Sequence, residues 1–164
     1  MTVADGAALE IRRLGSQDEA WVCARMMASS EPWITLRRDA DAALAILTDP
    51  GRESYVAILD GEIAGFLILV MHGAFVGYIQ SVCLAPGRRG LGLGGRLMAF
   101  AEERILRDVP NVFLCVSSFN PDARRLCERL GYEVVGELRD YVVRGHSEIL
   151  MRKSAGPLAE FVTR

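Results

Sequence analysis

Between Ala85 and Ile105 the chain reads APGRRGLGLGGRLMAFAEERI. Five glycines (Gly87, Gly90, Gly92, Gly94, Gly95) and three arginines (Arg88, Arg89, Arg96) precede an amphipathic run. Glycine weakens a helix start, so this cluster points to a ligand rather than to local stability. A helix N-terminus carries unpaired N–H groups and a partial positive charge. Glycines let that backbone approach an anion closely. The N–H groups of Arg89, Gly90, Leu91, Gly92, Leu93, Gly94 and Gly95 can then converge on a pyrophosphate. A strand-to-helix turn alone needs one or two glycines. Gly90-x-Gly92-x-x-Gly95 also matches a dinucleotide fingerprint, but that reading wants an early strand–helix–strand unit and an acid at the end of the next strand. Here the next strand ends in Ser117-Ser118. The Gly-Lys-Ser/Thr of a nucleotide loop is absent.

The elements that must position this loop are legible on both sides of it. Residues 8–14 alternate like a strand, and 16–29 open on a capping serine with acids in the first turn. Pro32 ends that helix, and 39–49 reads as a second one. Residues 53–71 are two strands joined by Asp60-Gly61, a preferred hairpin pair. Residues 74–86 form a further strand stopped by Pro86. After the loop come a helix at 94–108, an apolar central strand at 111–117 and a helix at 120–131. That last helix has Asn120 as cap, Pro121 and Asp122 in its first turn, and Gly131 at its end. Strands at 132–138 and 147–153 close the chain, and 154–164 reads as a loose tail. The expected fold is one α/β domain over 1–164, core about 8–153, with seven strands in a mixed sheet and helices on both faces.

Composition narrows the function. The 164 residues are 51% hydrophobic, with a formal net charge of −2, so no polycationic surface for nucleic acid is indicated. Cys23, Cys83, Cys115 and Cys127 lack metal-ligand spacing and sit in apolar surroundings, as expected of reduced thiols in a cytoplasmic protein without a metal. The N-terminus does not read as a signal peptide, and the longest apolar stretch, 63–71, is too short to span a bilayer.

A third pattern fits the loop better than the two nucleotide motifs. Arg89-x-x-Gly92-x-Gly94, following Pro86, resembles the acetyl-coenzyme A signature of the GNAT N-acetyltransferase superfamily. Asn120-x-x-Ala123 followed by Leu130-Gly131-Tyr132 is similar to the second motif of that family, and the element order agrees over about 8–153. The resemblance implies a sheet parted between its fourth and fifth strands, with a bulge in the fourth. Pantetheine would lie in the gap against the backbone of Val82, Cys83 and Leu84, and Asn120 would bond the same arm. From the residues alone, Asn120 is equally well a helix cap.

The resemblance further implies transfer of an acetyl group from acetyl-CoA to a primary amine of a small molecule or protein, with homodimers formed through edge strands. The usual acid of the family, a tyrosine seven residues after the Asn, is Cys127 here, and the base Glu of one subgroup is Cys115. A thiol can in principle protonate a thiolate; an inert core cysteine is the other reading. The connection and last hairpin, which close the acceptor site in this family, hold Tyr141, His146 and Glu148. His146 and Glu148 alternate onto one face, and a histidine can accept an amine proton near neutrality. Glu31 and Trp33, with Tyr78 and Gln80 on one face of the fourth strand, complete an acceptor pocket whose acids suit a cation. A non-catalytic acyl-CoA-binding domain and a dinucleotide oxidoreductase are the competing functions.

Overall fold

The computed structural model describes residues 8–163. Residues 1–7 and 164 of the expected domain lie outside the described residues. The element order is β1 (Glu10–Arg13), α1 (Gln17–Ala28), α2 (Ala40–Leu47), β2 (Glu53–Leu59), β3 (Glu62–Val70), β4 (Tyr78–Leu84), α3 (Leu93–Leu106), β5 (Asn111–Ser117), α4 (Pro121–Arg129), β6 (Glu133–Arg139) and β7 (Ser147–Ser154). Short 3-10 turns occupy Pro86–Arg88 and Leu158–Glu160.

Local chemistry accounts for the boundaries. The Ser16 hydroxyl accepts from the Glu19 N–H at 3.2 Å and opens α1. Asp39 does the same for α2 through the Ala42 N–H at 2.8 Å. Asp60 and Gly61 both take positive φ, 54° and 78°, as the two-residue turn between β2 and β3 requires. Two expected boundaries shift. The strand expected from 74 begins only at Tyr78. Ser154 completes β7, and the Ala155 N–H donates to the Pro110 carbonyl at 2.8 Å, so the tail starts later than its composition suggests.

The seven strands form one sheet in the order β1-β2-β3-β4-β5-β7-β6, antiparallel except for β4 against β5. Helices cover both faces. On one side α3 and α4 pack Leu97, Met98, Ala101, Ile105 and Cys127 against Leu67, Leu69, Ile79, Val112 and Leu114. On the other, α1 and α2 pack Cys23, Ala24, Met27, Ala43 and Leu47 against Val56, Phe66, Ile68 and Cys83. Phe66 to Leu69 are fully buried because β3 is covered on both faces, and a continuous apolar run is what such a strand needs.

Two irregularities shape the middle of the sheet. The register of β4 on β3 slips between Ile68↔Ser81 and Leu69↔Ile79, leaving Gln80 as the extra residue of a bulge. And β4 meets β5 through only Tyr78↔Phe113 and Ile79↔Leu114. Beyond these pairs the two parallel strands part. The join is held at Gly77, whose carbonyl accepts from the Phe113 N–H at 2.9 Å. Gly77 has φ +88°, and a Cβ there would meet the Asn111 carbonyl and the Ile105 side chain, each at 2.6 Å. Gly77→Ala is therefore expected to cost about 2–4 kcal/mol, from left-handed strain plus overpacking. Urea denaturation checks this; an unchanged midpoint would show that β4 and β5 join without that close approach.

Candidate active site

The parting of β4 and β5 opens a cleft of about 1470 Å³ that runs from the α1–α2 connection to the N-termini of α3 and α4. Its β4 wall extends from Tyr78 to Leu84, its β5 wall from Leu114 to Ser117. Past Ile79, β4 has no strand partner on its β5 side, so its backbone N–H and C=O groups there are free for an extended ligand. Val82, Cys83 and Leu84 all lie on this stretch of β4.

At one end stands the glycine loop. Gly92 is the N-cap of α3 with φ +79° and no side-chain cap, so the first N–H groups of a 14-residue helix go unanswered by the protein. Leu93 anchors the turn in an apolar cluster with Leu59, Ala64 and Leu91. A Cβ on Gly94 would enter the cleft between Leu84 and Leu126, at 3.8 and 3.9 Å, and Cβ atoms on Gly90 and Gly95 would meet nothing. The glycines thus leave space where packing does not demand it, as a bound group needs. The arginines are divided. Arg88 pairs with Asp60 at 3.3 Å, whereas Arg89 turns back and donates to the buried Ser30 hydroxyl at 3.2 Å. Arg96 stays exposed. Asn120 lines the cleft and caps α4, its Oδ1 accepting from the Ala123 N–H at 3.3 Å. Its amide NH2 remains available, so the two readings of Asn120 are compatible.

At the other end the strands bring together groups far apart in sequence. Register pairs Ser117 of β5 with Glu148 of β7, and the Ser117 hydroxyl donates to the Glu148 carboxylate at 2.7 Å. Glu148 is only 6% exposed. Burial raises its carboxyl above the ordinary range, while the Ser117 hydrogen bond and the charge of His146 pull the other way. The Tyr78 phenol lies within electrostatic reach of Cys115, Tyr141 and Glu148, and burial first, then these neighbours, raise it well above its usual value. Tyr141 stands on the rim, largely exposed.

Other expected site residues are placed differently. His146 precedes β7 rather than continuing it, stacks edge-on against Phe119 at 4.8 Å, and does not line the cleft. Glu31 lines the cleft but spends its carboxylate on Thr35, accepting from its hydroxyl at 2.9 Å and its N–H at 3.2 Å. Trp33 lines the cleft but is largely buried against α1 and α2. Gln80 accepts from Arg52 at 2.7 Å, and Arg52 also pairs with Asp49. Arg38 also lines this end, so a cation stands there beside the expected acids Glu31 and Glu148. Nothing in the residues around Ser117 or Arg38 marked them in sequence; only the strand register and the α1–α2 turn bring them in. Cys127 borders the cleft, but its thiol is nearly buried in the α3/α4 core and is raised to about 11 chiefly by burial. No group of metal-binding side chains occurs among the described residues.

The model of the acetyltransferase (GNAT) family matches residues 17–132, from α1 to the tyrosine after α4. The chain belongs to the GNAT acetyltransferase family. This sets aside the dinucleotide reading of Gly90-x-Gly92-x-x-Gly95, whose loop here follows a strand of a mostly antiparallel sheet. In sequence the chain is 28% identical over 130 residues to an aminoalkylphosphonate N-acetyltransferase of Salmonella typhimurium, spanning 76% of this chain and 84% of that protein. Its fold is similar to that of a GNAT-family protein from Desulfovibrio desulfuricans, with a TM-score of 0.76 and 22% identity, covering 91% of this chain and 100% of that one. A Salmonella typhimurium structure described as an acetyltransferase with its cofactor acetyl-CoA aligns with a TM-score of 0.72 and 18% identity, over 96% of this chain and 99% of that one. As in that family, the sheet parts at β4 and β5 and β4 carries a bulge.

The thiols of this GNAT domain supply a direct check on its core. Burial raises Cys23 to about 12 and Cys83 and Cys127 to about 11. In native protein at pH 7.5, iodoacetamide labelling of these three should be many-fold slower than of free cysteine and should become fast on unfolding. Rapid native labelling of Cys127, mapped by mass spectrometry, would contradict its placement.

Proposed function

We propose that this protein moves the acetyl group of acetyl-CoA directly onto a primary amine of a small molecule. The observation that carries this reading is the unpaired edge of β4 leading from the uncapped N-terminus of α3 toward a buried carboxylate, Glu148. The loop N–H groups from Arg89 to Gly95 receive the diphosphate, and Val82, Cys83 and Leu84 pair with the pantetheine arm as an added strand would. The Asn120 amide bonds that arm. The relative that acetylates aminoalkylphosphonates supports a small acceptor.

The acceptor arrives as an ammonium ion and must lose a proton before attack. Glu148 takes it, since a carboxyl raised by burial is a better base than an exposed one. A backbone N–H of Val82 or Leu84 steadies the oxyanion. Tyr78, held neutral at working pH, orients the amine beside Glu148, and Tyr141 closes the rim. His146, packed on Phe119 outside the cleft, takes no part at the acceptor. Cys127 stays outside the proton path. An ordinary alkyl thiol has a pKa near 8.5, so a donor at about 11 would give up its proton to the leaving thiolate uphill. The nitrogen gives its first proton to Glu148 before attack and loses a second as the tetrahedral intermediate collapses, and that second proton goes to the leaving thiolate.

Three outcomes test this. Glu148→Gln should lower kcat by about 10²–10⁴-fold and leave coenzyme A binding by calorimetry intact. The neutral carboxyl is the form burial favours, and the stability it contributes is lost as pH rises through the raised folded value. The Gln variant should therefore melt no lower than the parent at neutral pH. In the parent, kcat/KM should fall as pH drops through that raised carboxyl value.

Gly94→Ala should leave the melting temperature unchanged or higher, because alanine favours helix, yet weaken coenzyme A binding at least about tenfold by crowding the cleft. Unaltered binding would move the arm elsewhere. Cys127→Val should keep kcat within about threefold; a larger loss would return the thiol to the mechanism. Tight coenzyme A binding with no turnover across an amine panel would favour a non-catalytic acyl-CoA-binding domain.

A further inference from the structure

The α1–α2 connection ends in a backbone arrangement that sequence alone does not suggest. The Arg38 N–H donates to the Trp33 carbonyl at 2.9 Å and the Arg37 N–H to the Ile34 carbonyl at 3.1 Å. This is the paired closure of a helical turn whose αL position is usually glycine. Here Arg37 occupies it with φ +58°, a conformation unfavourable for a residue with a Cβ. The turn brings the next side chain, Arg38, into the cleft wall.

Arg38 is half-buried, and among the described residues no carboxylate pairs with it and no acceptor takes a hydrogen bond from it. The charge of Arg52, itself engaged by Asp49 and Gln80, also acts on it. Burial, then the Arg52 charge, lower the Arg38 guanidinium from its ordinary value, with the Tyr78 phenol acting in the opposite sense. A desolvated cation beside a second cation is costly unless an anion joins it.

Tyr78 connects this group to the proposed chemistry. Its phenol is in electrostatic reach of Arg38 from the α1–α2 connection and of Glu148 from β7. Arg38, Tyr78 and Glu148 all line the same cleft, so one small molecule bound there can meet both a cation and a carboxylate.

We propose that Arg38 is an anion-recognition residue for the acceptor, and that the acceptor is a zwitterion. A primary amine faces Glu148, and a short alkyl spacer leads to a carboxylate or phosphonate on the Arg38 fork. The planar guanidinium suits either oxyanion, in a bidentate manner that a lysine would not reproduce. This rests on the acetyl-transfer reading and adds the class of acceptor to it.

The experiment compares β-alanine and 3-aminopropylphosphonate with propylamine and 1,3-diaminopropane, using the full chain and acetyl-CoA. The parent should favour the two zwitterions in kcat/KM. In Arg38→Gln the ratio of zwitterion to propylamine should fall at least about tenfold, through KM, as loss of a charge-assisted hydrogen bond predicts. Arg38→Lys should recover only part of it, and Arg38→Glu should shift preference toward 1,3-diaminopropane. Circular dichroism and the KM for acetyl-CoA report whether each variant is folded and loaded. A ratio unmoved by Arg38→Gln, or a parent that prefers propylamine, overturns the proposal. If no amine turns over while coenzyme A still binds, the transfer reading fails separately. Binding of 3-aminopropylphosphonate to the coenzyme A complex, followed by ligand NMR in parent and Arg38→Gln, then decides the anion site: binding lost in the variant upholds it, and equal or absent binding overturns it.

Discussion

Everything the cleft does depends on two parallel strands that hydrogen-bond at one end and part at the other. Strand backbone buried in a sheet normally has all its N–H and C=O groups paired, because leaving them bare costs free energy. β4 departs from this along the stretch after Ile79, with β3 on one side and an open cleft on the other. The departure is tolerable because that edge faces the cleft, where water or a ligand satisfies it. The bulge at Gln80 and the tight approach at Gly77 set where pairing stops, and α3 and α4 hold the far walls apart. In the proposed function a strand-like ligand arm would complete the sheet, which would tie cofactor recognition to the same backbone that supports the core.

The cleft divides its charge between its ends. At the α3 end, the helix leaves uncapped backbone N–H groups, and the arginines that drew notice in sequence are partly used as braces, Arg88 to Asp60 and Arg89 to Ser30. At the other end, the charged and titratable groups are side chains, Arg38 and Glu148 among them. Glu148 is buried with one hydroxyl donor, so it is poised to change protonation, whereas Cys127 is buried among apolar groups and holds its proton. Both groups are desolvated. They differ in what surrounds them, and for the carboxyl that desolvation strengthens the base, while for the thiol it only makes the donor weaker.

Much of the architecture was readable from local signals. Ser16, Asp39, Asp60-Gly61, Pro86 and Asn120 mark starts, turns and stops by hydrogen bonding or fixed backbone angles that do not depend on distant residues. The glycine loop was readable for the same reason. Glu148 was visible as a candidate in the final hairpin, but its partner Ser117 was not, since their meeting depends on β5 lying beside β7. His146 was expected to share a strand face with Glu148; the strand begins only at Ser147, so alternation does not extend to it. Glu31 was expected to line the pocket; it does, and its carboxylate is held there by Thr35 four residues on.

The sequence by itself determined the order and ends of the elements, the apolar faces that drive them together, and the loop that can receive a diphosphate, because each is written in neighbouring residues. Only the tertiary structure decided which side chains share the acceptor end. Tyr78, Cys115, Ser117 and Glu148 come from three strands, and Arg38 from a turn outside the sheet. Their proximity, and the burial that shifts their protonation, follow from strand order, register and packing, which no short stretch of chain encodes.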